Sequence, residues 1–139
     1  MINFFYEGDI DRLNEDRISS WISEVISSES KEEGEISFIF CDDEYLLKLN
    51  KEFLNHDTYT DIISFDNSLG NELNGDIFIS TERVFENAKK FKVSETNEMS
   101  RVIVHGILHL CGYKDKSDDE AALMRNKEDE KLLLFHVEQ

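Results

Sequence analysis

Apolar residues recur along the chain at two spacings, and the switches between them outline its elements. Residues 2–6 (INFFY) form a short β-prone run. Ile18, Trp21, Ile22, Val25 and Ile26 then repeat at helical spacing, so residues about 16–28 are expected to form an amphipathic helix with one buried stripe. The acidic KEEGE segment interrupts, and ISFIFC at 36–41 reads as a strand. Asp42 or Asp43 is placed to cap a helix bearing Leu46, Leu47, Leu49 and Phe53. DIISFD at 61–66 and GDIFIS at 75–80 are two further strands, and the Gly/Asn-rich loop between them predicts an antiparallel hairpin. Ser80 or Thr81 starts a helix carrying Val84, Phe85, Ala88 and Phe91 on its apolar stripe. Ser94 caps the next helix, which runs to Cys111 and stops at Gly112. Ser117 and Glu120 match a capping box opening a last helix over about 118–135. The order predicts an α+β fold, a single domain over residues 1–139 with one small mixed sheet of about four strands packed with about five helices.

Composition narrows the class. The chain has 139 residues, a length that suits one domain with a real core. Two cysteines, Cys41 and Cys111, point to a reducing compartment rather than a disulfide scaffold. No apolar run is long enough to span a membrane, and MINFFYEGDI lacks the basic start of a signal peptide, so a soluble cytoplasmic protein is expected. The 31 acidic against 15 basic side chains, net −16, argue against a protein that coats nucleic acid non-specifically.

The chemistry gathers in VIVHGILHLCGYKDK, near the C-terminal third. His105 and His109, four apart on the predicted helix, project from one face a turn apart, as two ligands of one metal ion must. Asp115 lies six residues beyond His109, after a stop at Gly112 where the chain can fold back, and can close a third side. Two imidazoles and one carboxylate leave a coordination position open, the mark of a catalytic site. Gly106 stands where an HExxH peptidase carries its general-base glutamate, so peptidase chemistry loses support. The missing side chain either opens space beside the metal or lets another backbone approach closely. Cys111, two residues after His109, falls on roughly the opposite side of the helix and is expected to be buried rather than a ligand. Met124 and Glu128 on the last helix are expected to serve packing and a solvated or outer-sphere role, and His136 to lie at the surface.

HGILHLCGYKD resembles the HGxLHLxGYDH signature of the YbeY-type endoribonucleases. In the same order, TDIISF at 60–65 is similar to the family's PTDVLSF, GDIFIS to its GDIxIS, and LNKEFLNHD to its LNxxYRxxD stretch. The resemblance spans residues from about 36 to 135. It implies a metal-dependent nuclease of single-stranded RNA, usually described with zinc, acting in 3′-end maturation of small-subunit ribosomal RNA and in ribosome quality control. The implied partners are single-stranded ribosomal RNA, the small ribosomal subunit and its assembly factors, with no membrane. His105 and His109 match the first two metal histidines and are the expected catalytic centre; the third falls on Asp115. That departure admits Ni²⁺, Fe²⁺ or Mn²⁺ beside Zn²⁺. Thr60, Asp61 and Ser64 are candidate substrate contacts on or next to the strand flooring the cleft. The family's arginine falls on Leu54, which cannot meet phosphate; Lys51, His56 and Arg101 are the candidate replacements. Two other readings compete: a metallohydrolase of another substrate, and a non-catalytic ribosome-associated factor with a structural metal.

Charge is unevenly spread. Residues 1–80 carry 19 acidic and 5 basic side chains, whereas residues 81–116 carry 5 and 7. Arg83, Lys89, Lys90, Lys92, Arg101, Lys114 and Lys116 are therefore expected to form a basic rim around the metal cleft.

Overall fold

A computed structural model describes residues 1–56 and 58–137, the side chains of His136 and Val137 excepted. Its elements are β1 (Ile2–Tyr6), α1 (Glu15–Ser28), β2 (Glu32–Cys41), α2 (Asp43–Leu54), β3 (Ile62–Asp66), β4 (Glu72–Ser80), α3 (Thr81–Phe91), α4 (Glu95–Leu110) and α5 (Asp118–Val137). One mixed sheet runs in the order β1-β2-β4-β3, with β1, β2 and β4 parallel and β3 antiparallel to β4. The expected hairpin is thus β3–β4, and its position makes β3 an edge strand.

The period-2 pattern decides which side each strand buries. Ile36, Phe38 and Phe40 of β2 and Leu73, Ile77 and Ile79 of β4 join Trp21, Ile22 and Val25 of α1 and Ile103, Val104 and Ile107 of α4 in one core. On the other face Cys41 and Ile63 meet Leu46 of α2, with Phe65 and Phe78 beside them. Trp21 is fully buried and donates its indole N–H to the Lys131 carbonyl at 2.8 Å, tying α1 to α5.

The caps fall where the sequence puts them. Asp42, Ser80 and Ser94 accept backbone N–H groups at the starts of α2, α3 and α4. Ser117 and Glu120 form the reciprocal capping box of α5, at 3.0 and 3.1 Å. Gly112 takes φ +107° just past α4, a conformation that turns the chain back toward the helix and that side chains resist.

Three expectations need correction. The KEEGE segment does not end the strand: Glu32 and Glu33 pair with Glu72 and Leu73 across a register shift, so both strands are longer than ISFIFC and GDIFIS. Pairing with a neighbouring strand outweighs the weak β preference of exposed acids. Phe53 and Phe91, counted among the apolar residues of their predicted helices, are 63% and 53% exposed. Both lie in the last turns of their helices, where the packed face runs out.

Candidate metal centre

Helix α4 crosses the sheet against β3 and β4, and Gly106 explains how closely it does so. A Cβ there would lie 2.9 Å from Ile77 Cγ2 and 3.0 Å from Ile62 Cδ1. The glycine therefore faces sheet side chains; it neither opens space beside the metal ligands nor meets another backbone.

His105 directly precedes that glycine and His109 follows it by one turn, so both rings project from the adjoining flank of the helix, with centroids 4.5 Å apart. Each imidazole is held through Nδ1. His105 Nδ1 lies 2.6 Å from the Glu128 carboxylate, and His109 Nδ1 lies 2.9 Å from the Tyr113 carbonyl. A carbonyl can only accept, so His109 carries its proton on Nδ1 and presents the Nε2 lone pair. Both Nε2 atoms meet the same oxygen, Asp115 Oδ2, at 3.2 and 3.3 Å. Ligands about 2.0–2.1 Å from a tetrahedral zinc are ~3.3 Å apart, so these separations suit a shared divalent ion. Among the described residues, His105, His109 and Asp115 are the group that could hold a metal ion.

The electrostatics favour a cation at this point. Burial alone lowers the His105 pKa, but the hydrogen bond it donates to Glu128 and the charges of Glu128, Asp115 and Asp61 outweigh it and raise the value. The same surrounding negative charge would favour a metal ion at this point. Glu128 is itself buried and receives Arg101 at 2.9 Å; the same guanidinium reaches Asp129 at 2.7 Å. Tyr113, whose carbonyl holds His109, is pinned by its hydroxyl to Glu29 at 2.6 Å. Glu29 in turn binds the buried Lys131 ammonium at 2.7 Å.

These groups open into a cleft of about 970 Å³ bounded by α2, β3, α3, α4 and α5. Thr60, Asp61 and Ser64 all line it, from the edge strand and the residues just before it. Ser64 Oγ is buried without a hydrogen-bond partner, while Thr60 Oγ1 reaches the Ile62 carbonyl at 3.4 Å. Burial raises the Asp61 carboxyl, against the opposing charge of His105, and burial and Asp61 raise Glu98.

The expected basic rim does not form. Arg101 and Lys116 line the cleft, joined by Arg125 of α5, but Arg83, Lys89, Lys90, Lys92 and Lys114 do not. Arg83 turns to Asp43 at 2.9 Å, and the lysines of α3 face solvent. Asp61, Asp66, Glu98 and Glu128 meanwhile converge on the cleft from three separate segments, β3 with the residue before it, α4 and α5.

Of the candidate replacements for an arginine at Leu54, His56 and Arg101 both line the cleft with Leu54 itself. Asp57, which ends the LNKEFLNHD stretch, and the His136 side chain lie outside the described residues. Cys111 is partly buried against the main core, its thiol pushed up to about 11 by burial, and it takes no place among the ligands. Tyr113 escaped sequence reasoning because its contribution to His109 is a main-chain carbonyl, which leaves no side-chain signature.

A four-stranded mixed sheet carrying an open two-histidine, one-carboxylate group on its crossing helix defines a cleft built for a candidate metal centre. Residues 5–136 match the model of the family described as endoribonuclease YbeY, and the chain belongs to that family. It is 64% identical over 139 residues to the endoribonuclease YbeY of Flavobacterium johnsoniae, covering 100% of both chains. With the Flavobacterium psychrophilum protein of the same name it is 61% identical, covering 100% of this chain and 99% of that one. The fold matches the solution structure of TM1509 from Thermotoga maritima with a TM-score of 0.74 at 27% identity, over 99% of this chain and 91% of that one. Among the described residues no helix is long and apolar enough to cross a membrane.

Proposed function

We propose that this chain is a metal-dependent, single-strand-specific endoribonuclease that acts in the cytoplasm on the 3′ end of small-subunit ribosomal RNA and in ribosome quality control. Its partners in this reading are single-stranded ribosomal RNA, the small ribosomal subunit and assembly factors bound to it. The observation that carries the chemistry is the convergence of His105 Nε2, His109 Nε2 and Asp115 Oδ2 at the base of an open cleft. Family membership and the shared name of the full-length relatives support RNA cleavage.

His105, His109 and Asp115 would hold a divalent ion, Zn²⁺ first, which would supply Lewis acidity toward a phosphodiester and a bound water activated near neutral pH. The protein's own part is to fix the ligands. Glu128 and Tyr113 hold the Nδ1 atoms, so both rings keep their Nε2 lone pairs on one point without reorganisation. Thr60, Asp61 and Ser64 wall the cleft beside that point, and the orphaned Ser64 hydroxyl offers a donor to a phosphate or ribose oxygen. One carboxyl of the wall, Asp61, is biased by burial toward its protonated form, which reduces repulsion of an approaching phosphate.

The decisive experiment joins metal analysis of the purified protein to cleavage of single-stranded RNA by wild type and His105→Ala. Bound stoichiometric metal, with cleavage abolished in the variant, is the expected result. Absence of metal overturns the proposal, and metal without metal-dependent cleavage favours a structural role.

A further inference from the structure

The cleft presents a physical problem for an RNA substrate. Its walls carry Asp61, Asp66, Glu98, Asp115 and Glu128 against three cations, Arg101, Lys116 and Arg125, and Arg101 is already committed to Glu128 and Asp129. Attraction for phosphate, the usual source of RNA affinity, is weak there. A strand seated in this cleft needs a handle that does not depend on charge. Two exposed apolar side chains line the same cleft as the metal ligands: Leu54 in the last turn of α2, 43% exposed, and Phe91 in the last turn of α3, 53% exposed. Neither belongs to a core cluster. The Phe91 ring has the Lys90 ammonium 6.0 Å from its centroid, so one cation stands beside an aromatic face.

We propose that Leu54 and Phe91 form a nucleobase-binding clamp at the cleft, with Phe91 as the stacking platform for an unpaired base next to the cleaved phosphate. This rests on the endoribonuclease reading above and names how that substrate is gripped. Every base offers a π-face, so the clamp tolerates sequence. A base paired in a duplex has its faces covered by neighbours, so the clamp admits unpaired strands and rejects helices. Leu54 supplies an apolar edge against the same base. The clamp thereby assigns single-strand preference to two residues outside the metal group.

Binding of a fluorescein-labelled single-stranded 2′-O-methyl RNA, and of the same strand with abasic residues, by the metal-loaded full chain tests this. Stacking of one base is worth about 1–3 kcal/mol, so Phe91→Ala is expected to weaken the base-bearing strand roughly 5- to 150-fold and leave the abasic strand unchanged. Phe91→Trp is expected to retain affinity and to show tryptophan quenching on binding. The natural Trp21 is the sole tryptophan and is fully buried, so wild type supplies the background against which quenching of the new indole is read. Both variants alter an exposed side chain, and an unchanged thermal midpoint verifies the fold. Equal binding of base-bearing RNA by wild type and Phe91→Ala, or equal wild-type binding of the two strands, overturns the clamp while the endoribonuclease reading stands. If the wild type binds neither strand, that reading falls and the clamp with it.

Discussion

Glu128 of α5 accepts from His105 of α4 at 2.6 Å, and its second oxygen is held by Arg101, one turn before that histidine. The carboxylate thus locks the ring of a candidate metal ligand from one side while a part-buried ion pair locks the carboxylate. Outer-sphere partners of this kind typically account for 10–100-fold in metal affinity. Glu128→Gln is expected to weaken metal binding by about that factor, read by competition with a chromophoric chelator, while far-UV circular dichroism stays native. Affinity equal to wild type would show that His105 orients itself.

Gly106→Ala tests the close packing of α4 on the sheet. Alanine gains about 1 kcal/mol of helix propensity over glycine. Its methyl group, however, would press on Ile77 Cγ2 at 2.9 Å and Ile62 Cδ1 at 3.0 Å. Overpacking costs typically 1–3 kcal/mol, so the net change is expected to be destabilising, seen as a lower urea midpoint at unchanged slope. A stabilised variant would mean that α4 can lift from the sheet freely.

Acid should weaken the anchor beneath the His109 loop. Burial tends to raise the Glu29 carboxyl, but hydrogen bonds from Lys131 and Tyr113, with the charges of Lys131 and Lys127, outweigh it and hold the pKa below 4.5. A carboxyl with a depressed folded pKa stabilises fully above its unfolded value and loses that contribution as pH falls through the folded one. Glu29→Gln, which leaves Lys131 with the Ser28 hydroxyl at 2.8 Å and Glu130 at 3.5 Å, is expected to cost about 2 kcal/mol at neutral pH, the worth of a hydrogen bond to a charged group. Urea unfolding of both proteins should then show the gap closing as pH drops below 4.5. A gap that persists in acid would assign the effect to shape rather than charge.

Metal removal should spare the fold. The loop carrying Asp115 is fixed without the ion by Gly112, by the Tyr113–Glu29 hydrogen bond and by the Ser117–Glu120 capping box. Metal at a hundred times its dissociation constant adds about 2.7 kcal/mol, so chelation should lower the thermal midpoint by several degrees and leave the circular dichroism spectrum folded. Unfolding on chelation would make the site structural.

Much of this protein is local and therefore readable. The caps at Asp42, Ser80, Ser94 and Ser117 act within one turn of their own helices, and the His105–His109 spacing follows from helix geometry. The apolar stripe through Trp21 and Val25 likewise selects its buried side by period alone. Charge was different. The excess of cations in residues 81–116 is a fact of sequence, yet Arg83 and the α3 lysines turn away while acids from β3, α4 and α5 converge on the cleft. Counting charges along a chain sums neighbours in order, whereas a site sums neighbours in space.

The sequence by itself determined the elements, their caps, the metal-ligand spacing and the family, because each depends on residues a few positions apart or on motifs in order. Only the tertiary structure decided what surrounds the ligands. It brought Glu128 to His105 across 23 residues and, through Tyr113, joined Glu29 to the His109 loop across 84. It also set Gly106 against Ile77 and Ile62 and left Phe91 exposed at the cleft. Those contacts depend on how α4 and α5 pack over the sheet, and no period or spacing within one segment records the angle at which two segments meet.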